Sequence, residues 1–283
     1  MLGKENTLVY PDRAGYGFSG DSLKPRTVEQ IVEDYRTGLK NAGFEAPYVL
    51  MAHSIADFYA LYWEMQYPDE VEAIVILDGS IPPKNELWQT YTVEEEFPSE
   101  DAGRTAMRRL VLRTWLGMNR LFPDRNYDGG ATQGAATFSE EQLRLSKLCN
   151  NRFWTAAFAS EIMLEKQEVT HMGEILHPTD TPKLYFSTLY TCEADVRASL
   201  ERMKADHEAE GKAFNIDPET AARAEWKQIE WEIEQAQTEE DDFMDKIGNC
   251  RLEYVAGDHG IFYAQEPEQI ASSILGFLAE TTE

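Results

Sequence analysis

The chain has 283 residues, of which 42% are hydrophobic and 11% aromatic, and its formal net charge is −25. This length and composition allow a large buried core and are typical of a globular protein, which excludes a disordered chain. The negative charge argues against nucleic-acid binding, because phosphates would repel the chain, and against adsorption to anionic membranes.

The sequence contains no run of about 18 apolar residues, so we expect no membrane span. Met1 to Asn6 lacks the apolar centre of a signal peptide, and the cytoplasm is therefore the expected location, unless an N-terminal part absent from this sequence carries a signal or an anchor. The three cysteines, Cys149, Cys192 and Cys250, match neither a disulfide framework nor a zinc site. We expect no metal and no cofactor.

The N-terminal elements alternate between short apolar strands and amphipathic helices. Thr7 to Tyr10 is predicted as a buried strand, which ends at Pro11-Asp12 and the glycine-rich loop from Gly15 to Gly20. Thr27 and Gln30 form a capping box, which predicts the start of a helix, and Gly43 stops that helix.

Two further predicted strands flank a second helix. Tyr48 to Met51 is a short apolar run, and helical periodicity continues from Ile55 to Pro68. Val71 to Leu77 is nearly all apolar, as expected for a parallel strand that is covered on both faces. Strands that alternate with helices at this spacing predict an α/β fold with a doubly wound, mostly parallel sheet.

The pattern changes from about Asn85 to His177, where helical stretches follow one another without clear strands. The clearest helices are predicted from Arg108 to Leu121 and from Glu140 to Met163. The sheet resumes afterwards, so residues 1–84 and 178–283 are predicted to form the core and residues 85–177 a separate helical unit.

The C-terminal part of the predicted core holds the last two strands. Pro182 to Ser187 and Cys250 to Val255 are the strands, and a final helix starts near Pro267. A long, charged helical insertion, residues 194–247, lies between the strands. Its acidic residues are read as a solvated helix face, with a partner-binding patch as the alternative.

The segment from Pro47 to Asp57 has the form of a nucleophile elbow, which consists of a strand, a sharp turn and a helix. The turn strains the backbone of its central residue, Ser54, so the residues two before and two after it must be small. Ala52 and Ala56 stand where the usual signature has glycine. The segment therefore predicts Ser54 as a nucleophile at the carboxyl end of a strand, where open α/β sheets place their sites.

A serine nucleophile needs a base that removes its proton and a third group that orients the base. His259 directly follows the last predicted strand and is the candidate base. His53 adjoins Ser54 in the chain but is expected to point away from it at the turn. Ser54 alone is read as a structural serine and His259 alone as a surface-loop histidine; their positions at two strand ends favour catalysis.

The orienting acid has more than one candidate. Asp78 ends the strand next to that of Ser54, where a carboxylate can reach the histidine; the alternative reading of Asp78 is a turn or cap residue. Glu193 and Asp195 follow the strand that ends at Ser187, and either would need a longer loop to fold back. In both assignments the chain order is serine, acid, histidine.

Several of these segments together resemble the α/β-hydrolase superfamily. The segments are Asp12 to Ser19, the elbow, Tyr67 to Val71, Leu77-Asp78 and Gly257 to His259. The resemblance implies a helical cap between the sixth and seventh family strands, which corresponds to residues 85–177. The elbow is similar to that of a bacterial branch in which the acid follows the sixth strand, and this favours Asp78.

The sequence departs from the superfamily pattern in two places. Ala56-Asp57 replaces the usual Gly-Gly or Ser-Gly, which crowds the turn and puts a negative charge at the helix start. The first family strands, and the loop that supplies one oxyanion-hole donor, have no counterpart in this sequence, so only the Ile55 amide is expected to bind the oxyanion. The sheet would then expose an apolar edge. Either the chain is a truncated product, or a homodimer or a partner chain covers that edge.

The leading hypothesis is a serine hydrolase that cleaves a small-molecule ester or related acyl substrate through Ser54, His259 and Asp78. Aromatic residues of the expected cap are candidates for an apolar acyl pocket, with cap core as the alternative reading: Trp115, Phe153, Trp154 and Phe158. The second hypothesis is a truncated, catalytically weak or silent hydrolase homologue that acts as a binding or interaction protein.

Overall fold

The computed structural model describes residues 2–4, 6–82, 100–118, 133–150 and 154–281. These residues form a sheet of four parallel strands in the order β1-β2-β3-β4. The strands are β1 (Tyr48–Ser54), β2 (Val71–Gly79), β3 (Lys183–Ser187) and β4 (Cys250–Tyr254).

Helices connect the strands and continue beyond the last one. They are α1 (Val28–Asn41), α2 (Ala56–Gln66), α3 (Glu100–Trp115), α4 (Glu140–Asn150), α5 (Ala156–Ile175), α6 (Glu193–Ala209), α7 (Pro218–Ile247), α8 (Phe262–Gln265) and α9 (Pro267–Thr281). Short 3₁₀ turns lie at Leu2–Lys4 and Pro68–Glu70. In the parts of the chain listed above, no helix combines the length and the apolar character that crossing a membrane requires.

The core lies on both faces of the sheet, because successive residues of a strand point to opposite sides. On β2, Ile74 and Ile76 pack in one cluster with α1, α2 and α7, whereas Val75 and Leu77 pack in another with α9. All four of these β2 side chains are buried. The predicted α/β fold with a parallel, doubly wound sheet is therefore confirmed.

Side chains cap several helices and fix where they begin. The Thr27 hydroxyl accepts the Gln30 N–H at the start of α1, where the helix was predicted to begin, but the Gln30 side chain donates to Asp34 and does not complete the predicted capping box. The Thr155 hydroxyl accepts the Phe158 N–H at the start of α5. Asp217 caps α7 in the same way. The cap at Thr155 also corrects a prediction: the helix expected from Glu140 to Met163 is two helices, α4 and α5.

Two other element predictions differ from the structure. Thr7 to Tyr10 is not a strand, and Tyr10 is 83% exposed. A strand requires a neighbour for its backbone hydrogen bonds, and in the described sheet no strand pairs with the outer side of β1, one of the two edge strands. The helix expected from Arg108 to Leu121 begins eight residues earlier and ends at Trp115; residues 119–121 lie outside the described part.

Candidate active site

The turn between β1 and α2 places Ser54 at the carboxyl end of the sheet. Ser54 has a φ of +54°, a left-handed conformation that non-glycine residues rarely adopt. The β1–β2 register shifts between His53 and Ser54, and Ser54 lies opposite Gly79. Such strain persists only where the surrounding structure holds it, and it is concentrated at functional sites.

Asp78 lies at the end of β2 and also has a left-handed backbone, with a φ of +52°. Its carboxylate accepts the N–H of Thr188 at 2.9 Å and the hydroxyl of Thr188 at 2.5 Å. Thr188 directly follows β3, so the acid of one strand is fixed by the loop after the next. These two bonds leave Asp78 oriented for a third partner.

His259 is that third partner, and it also reaches Ser54. Its Nδ1 lies 2.6 Å from Asp78 Oδ2 and its Nε2 lies 3.1 Å from Ser54 Oγ. The hydrogen bond with Asp78 raises the pKa of His259, although partial burial opposes the shift. With Nδ1–H donating to the carboxylate, Nε2 is free to accept the serine proton, which is the arrangement that general-base catalysis requires.

The alternative acids lie elsewhere. Asp195 accepts the N–H groups of Thr191 and Cys192 at the start of α6, and these bonds lower its pKa against the effect of burial. Glu193 forms an ion pair with Arg223, with 4.0 Å between Glu193 Oε1 and Arg223 Nε. The structure thus brings Asp78 to His259, whereas Glu193 and Asp195 lie in the first turn of α6.

His53 does not point away from the site, and the expectation that it would is wrong. Its Nε2 lies 2.7 Å from the backbone carbonyl oxygen of His259, so Nε2–H donates to that oxygen. The two imidazole rings have centroids 4.9 Å apart, and Tyr263 contacts the His53 ring edge-on. The sequence feature that could have indicated this contact is the position of His53, which lies beside Ser54 at the end of the same strand.

Asp57, which replaces a glycine of the usual elbow, is fully buried in the first turn of α2. One carboxyl oxygen accepts the Phe58 N–H at 2.7 Å, and the other lies so close to Gly79 that a Cβ there would approach it to 2.5 Å. Burial raises the pKa of Asp57 well above its ordinary value. The expected negative charge at the helix start is therefore disfavoured.

Of the residues predicted for an acyl pocket, the three in the described part of the chain do not converge. Trp115 is 81% exposed, and Phe153 lies outside the described residues. Trp154 and Phe158 contact each other at a centroid distance of 5.2 Å, and Phe158 contacts Tyr16 at 5.7 Å. The last two predicted residues therefore pack where α5 meets the glycine-rich loop.

The glycine-rich loop itself is fixed to α5 by polar contacts. Asp21 accepts the N–H groups of Ala156 and Ala157, and the Tyr16 hydroxyl donates to Glu161 at 2.6 Å. The Arg13 guanidinium lies over the Tyr16 ring. The motif residues thus hold a helix near the sheet, a role that sequence reasoning did not identify.

A cavity of about 660 Å³ borders Asp78 and His259 on the side of β3 and α6. Its lining includes Thr188, Leu189 and Met203. Of the predicted pocket residues within the described part of the chain, none lines this cavity. In the same part, no group of three or more histidine, cysteine or acidic side chains is arranged to hold a metal ion.

Sequence comparisons find relatives that align with only part of the chain, whereas structure comparisons find proteins that superpose on nearly all of it. No family model matches the chain. The uncharacterized protein YbdG of Bacillus subtilis is 27% identical over 212 residues, which cover 75% of this chain and 62% of YbdG. The uncharacterized protein YqjL of the same organism is 33% identical over 70 residues, or 25% of this chain and 28% of YqjL. The chain thus spans less than two thirds of these relatives.

Solved structures resemble nearly the whole chain. The epoxide hydrolase CorEH matches with a TM-score of 0.58 and 14% identity, over 99% of this chain and 84% of that chain. A loop variant of the haloalkane dehalogenase DbeA from Bradyrhizobium elkanii matches with a TM-score of 0.51 and 18% identity. The match covers 96% of this chain and 80% of the dehalogenase chain. Together with the parallel sheet and the turn at Ser54, these similarities identify the chain as having the fold of the α/β-hydrolase superfamily.

Proposed function

We propose that the chain is a serine hydrolase that cleaves an ester or a related acyl substrate. The observation that supports the proposal is the continuous relay from Ser54 Oγ to His259 Nε2 at 3.1 Å and from His259 Nδ1 to Asp78 at 2.6 Å. The names of the structural neighbours, an epoxide hydrolase and a dehalogenase, are consistent with hydrolytic chemistry on this fold.

In the proposed acylation step, Ser54 Oγ attacks the carbonyl carbon while His259 Nε2 takes the hydroxyl proton. The carbonyl oxygen becomes an oxyanion, which the Ile55 N–H stabilises as a hydrogen-bond donor. The tetrahedral intermediate then collapses, the bond to the alcohol breaks, and His259 returns its proton to the departing oxygen. Asp78 keeps the imidazole in the required tautomer and stabilises its charged form.

Deacylation repeats these steps with water as the nucleophile. His259 removes a proton from water, the resulting hydroxide attacks the acyl carbon, and the bond to Ser54 Oγ breaks. The protonated His259 then restores the serine hydroxyl. The products are one carboxylic acid and one alcohol, so the cycle consumes only the ester and water.

The division of the chain suggests where the substrate binds. We assign residues 1–84 and 178–283 to the catalytic core, residues 85–177 to a cap and residues 194–247 to an acidic helical insertion. The cavity beside Asp78 and His259 lies between the core and the first helix of that insertion, with Thr188 and Leu189 lining it from the core and Met203 from α6. It reaches the acid and the base of the relay but not Ser54, so we assign it to a part of the substrate that extends beyond the reacting carbonyl.

The proposal is tested with a fluorophosphonate probe, which reacts covalently with activated serines. We expect one probe per chain on the wild-type protein and none on Ser54→Ala. The matched control is Ser272→Ala, since Ser272 is exposed on α9, away from the relay. Peptide mass spectrometry locates the adduct, and hydrolysis of short p-nitrophenyl esters measures turnover.

The same experiment addresses the second hypothesis. A well-folded wild-type protein that reacts with neither the probe nor the esters contradicts the hydrolase proposal. That result favours the catalytically silent homologue. The specific observation in favour of such a homologue is the exposure of Val49 and Met51 on β1, the outer strand of the described sheet.

A further inference from the structure

The base of the proposed relay is carried by a strand that is far from the nucleophile. Ser54 ends β1 and His259 follows β4, and β2 and β3 lie between these strands. At about 4.8 Å per strand spacing, the distance across the sheet is roughly 14 Å. The loop after β4 must therefore reach back across the sheet edge, and contacts at its tip decide where the imidazole sits.

Two strands hold the tip of this loop at different atoms. Asp78 of β2 holds the His259 ring through Nδ1, whereas His53 of β1 donates to the His259 backbone carbonyl at 2.7 Å. The preceding residue, Asp258, is held by Gln265 through its N–H and by Ser199 through its carboxylate. The bond from His53 adds a fixed point at the carbonyl of His259 itself, on the side of the loop that faces Ser54. Because His53 and Ser54 are adjacent on β1, the same strand end fixes both the nucleophile and the backbone of the base.

The groups that face His53 make it suited to this role. His259 lies against one side of its ring, Tyr263 contacts it edge-on, and Asp78 acts on it through electrostatic attraction. Burial lowers the pKa of His53, which favours a neutral imidazole beside the base. A neutral His53 can still donate through Nε2–H without placing a second positive charge next to a protonated His259.

We infer that His53 is a positioning residue that anchors the main chain of His259 and thereby aligns its imidazole with Ser54. The catalytic purpose of this anchor rests on the proposed hydrolase function. The anchor itself is a statement about the hydrogen bond and the geometry of the loop, so it is testable without turnover.

Two substitutions separate the hydrogen bond from the packing of the ring. His53→Phe keeps an aromatic ring against His259 and Tyr263 but removes the donor. His53→Gln removes the ring and keeps an N–H donor at a similar reach. Near-ultraviolet circular dichroism and thermal unfolding check that each variant is folded.

The first measurement is the rate of fluorophosphonate labelling at Ser54. We expect His53→Phe to slow labelling by about tenfold, since a hydrogen bond contributes on the order of a factor of ten to an equilibrium, and we expect His53→Gln to restore most of the rate. Equal rates for wild type and His53→Phe would overturn the inference, as would an equal loss in both variants.

The second measurement, an NMR titration of the histidines, does not depend on activity. We expect the pKa of His259 to fall towards its ordinary value in His53→Phe, because a displaced imidazole pairs less well with Asp78, and to stay raised in His53→Gln. An unchanged pKa in His53→Phe contradicts the inference. A wild-type protein that is not labelled refutes the hydrolase proposal, while this titration still decides about His53.

A third measurement needs only the wild-type protein, so it tests the inference even if the His53→Phe variant does not fold. The bond to the His259 carbonyl requires a proton on His53 Nε2. Nitrogen chemical shifts distinguish the two neutral tautomers. The Nε2–H form of His53 supports the anchor, and the Nδ1–H form excludes it.

Discussion

Two residues of the proposed relay share an unusual backbone conformation at the carboxyl ends of neighbouring strands. Ser54 and Asp78 have φ values of +54° and +52°, and neither is a glycine. A left-handed backbone turns each side chain out of the strand's alternation, so both face the loop that carries His259. The local strain therefore has a geometric result, which is the convergence of three side chains from three different strand ends.

The raised pKa of His259 makes a prediction about pH. Only neutral His259 accepts the serine proton, so labelling of Ser54 is expected to increase as the pH rises through the pKa of His259, which Asp78 raises. Asp78→Asn removes the carboxylate, so the midpoint moves to lower pH and the plateau rate falls by about 10²–10⁴. The measurement is the labelling rate from pH 5 to 9.

The matched control for that series is Asp195→Asn, because Asp195 was the other acid considered and caps α6 instead. We expect its pH profile to match that of the wild type. A midpoint that moves with Asp195→Asn and stays in place with Asp78→Asn would show that the wrong acid has been assigned.

At the scale of elements, the start of α2 and the end of β2 are joined through a buried carboxyl group. Asp57 lies in the first turn of α2 and contacts Gly79, the last residue of β2. The Tyr185 hydroxyl of β3 donates to the Gly79 carbonyl at 2.9 Å. Thus α2, β2 and β3 meet next to the turns that carry Ser54 and Asp78. Position 79 requires glycine because a Cβ there would clash with the Asp57 carboxyl group.

This joint makes a prediction about stability. The pKa of Asp57 is raised in the folded state, so the carboxylate takes up a proton on folding at pH values above its unfolded-state pKa of about 3.9. Its contribution to the free energy of unfolding is therefore most favourable at low pH and is lost as the pH rises above that unfolded-state pKa. Asp57→Asn has no such proton uptake. We expect its free energy of unfolding to improve relative to wild type by up to about 1.4 kcal/mol per pH unit above pH 4.

Urea unfolding of both proteins between pH 4 and pH 7 measures this difference. Asp69→Asn is the control: Asp69 lies in the 3₁₀ turn before β2, with no buried residue in that turn. A constant difference between wild type and Asp57→Asn across the pH range would mean that Asp57 is ionised in the folded protein.

At the scale of the whole molecule, the described residues cover both faces of β2 and β3 but only one face of β1. Val49 and Met51 of β1 are 39% and 44% exposed, whereas the intervening Leu50 packs against the core. An apolar outer strand favours association between chains. The net charge of −25 acts against this tendency, since like-charged chains repel one another.

The alternation along β1 predicts opposite effects for neighbouring substitutions. Val49→Lys places a charge on the exposed face of β1, so we expect less light scattering on heating and an unchanged rate of Ser54 labelling. Leu50→Lys forces a charge against the core and is expected to cost about 2–4 kcal/mol of unfolding free energy. Equal loss of stability in both variants would show that the Val49 face of β1 is covered as well.

The sequence by itself determined the order of the main strands and helices and the position of the elbow. Periodicity and turn chemistry are local properties, and they located β1 to β4, the cap at Thr27 and the turn at Ser54. Local properties failed at Thr7 to Tyr10, because an apolar run becomes a strand only beside a partner strand, and at Thr155, where a capping side chain divides a predicted helix.

Only the tertiary structure decided which side chains meet. The contact between His53 and the His259 carbonyl, the burial of Asp57 under Gly79, and the cavity beside Asp78 all join segments that are distant along the chain. Such contacts depend on the order of strands in the sheet and on how far each loop reaches across its edge. Spacing along the sequence does not encode these distances, because they arise only when the sheet is assembled.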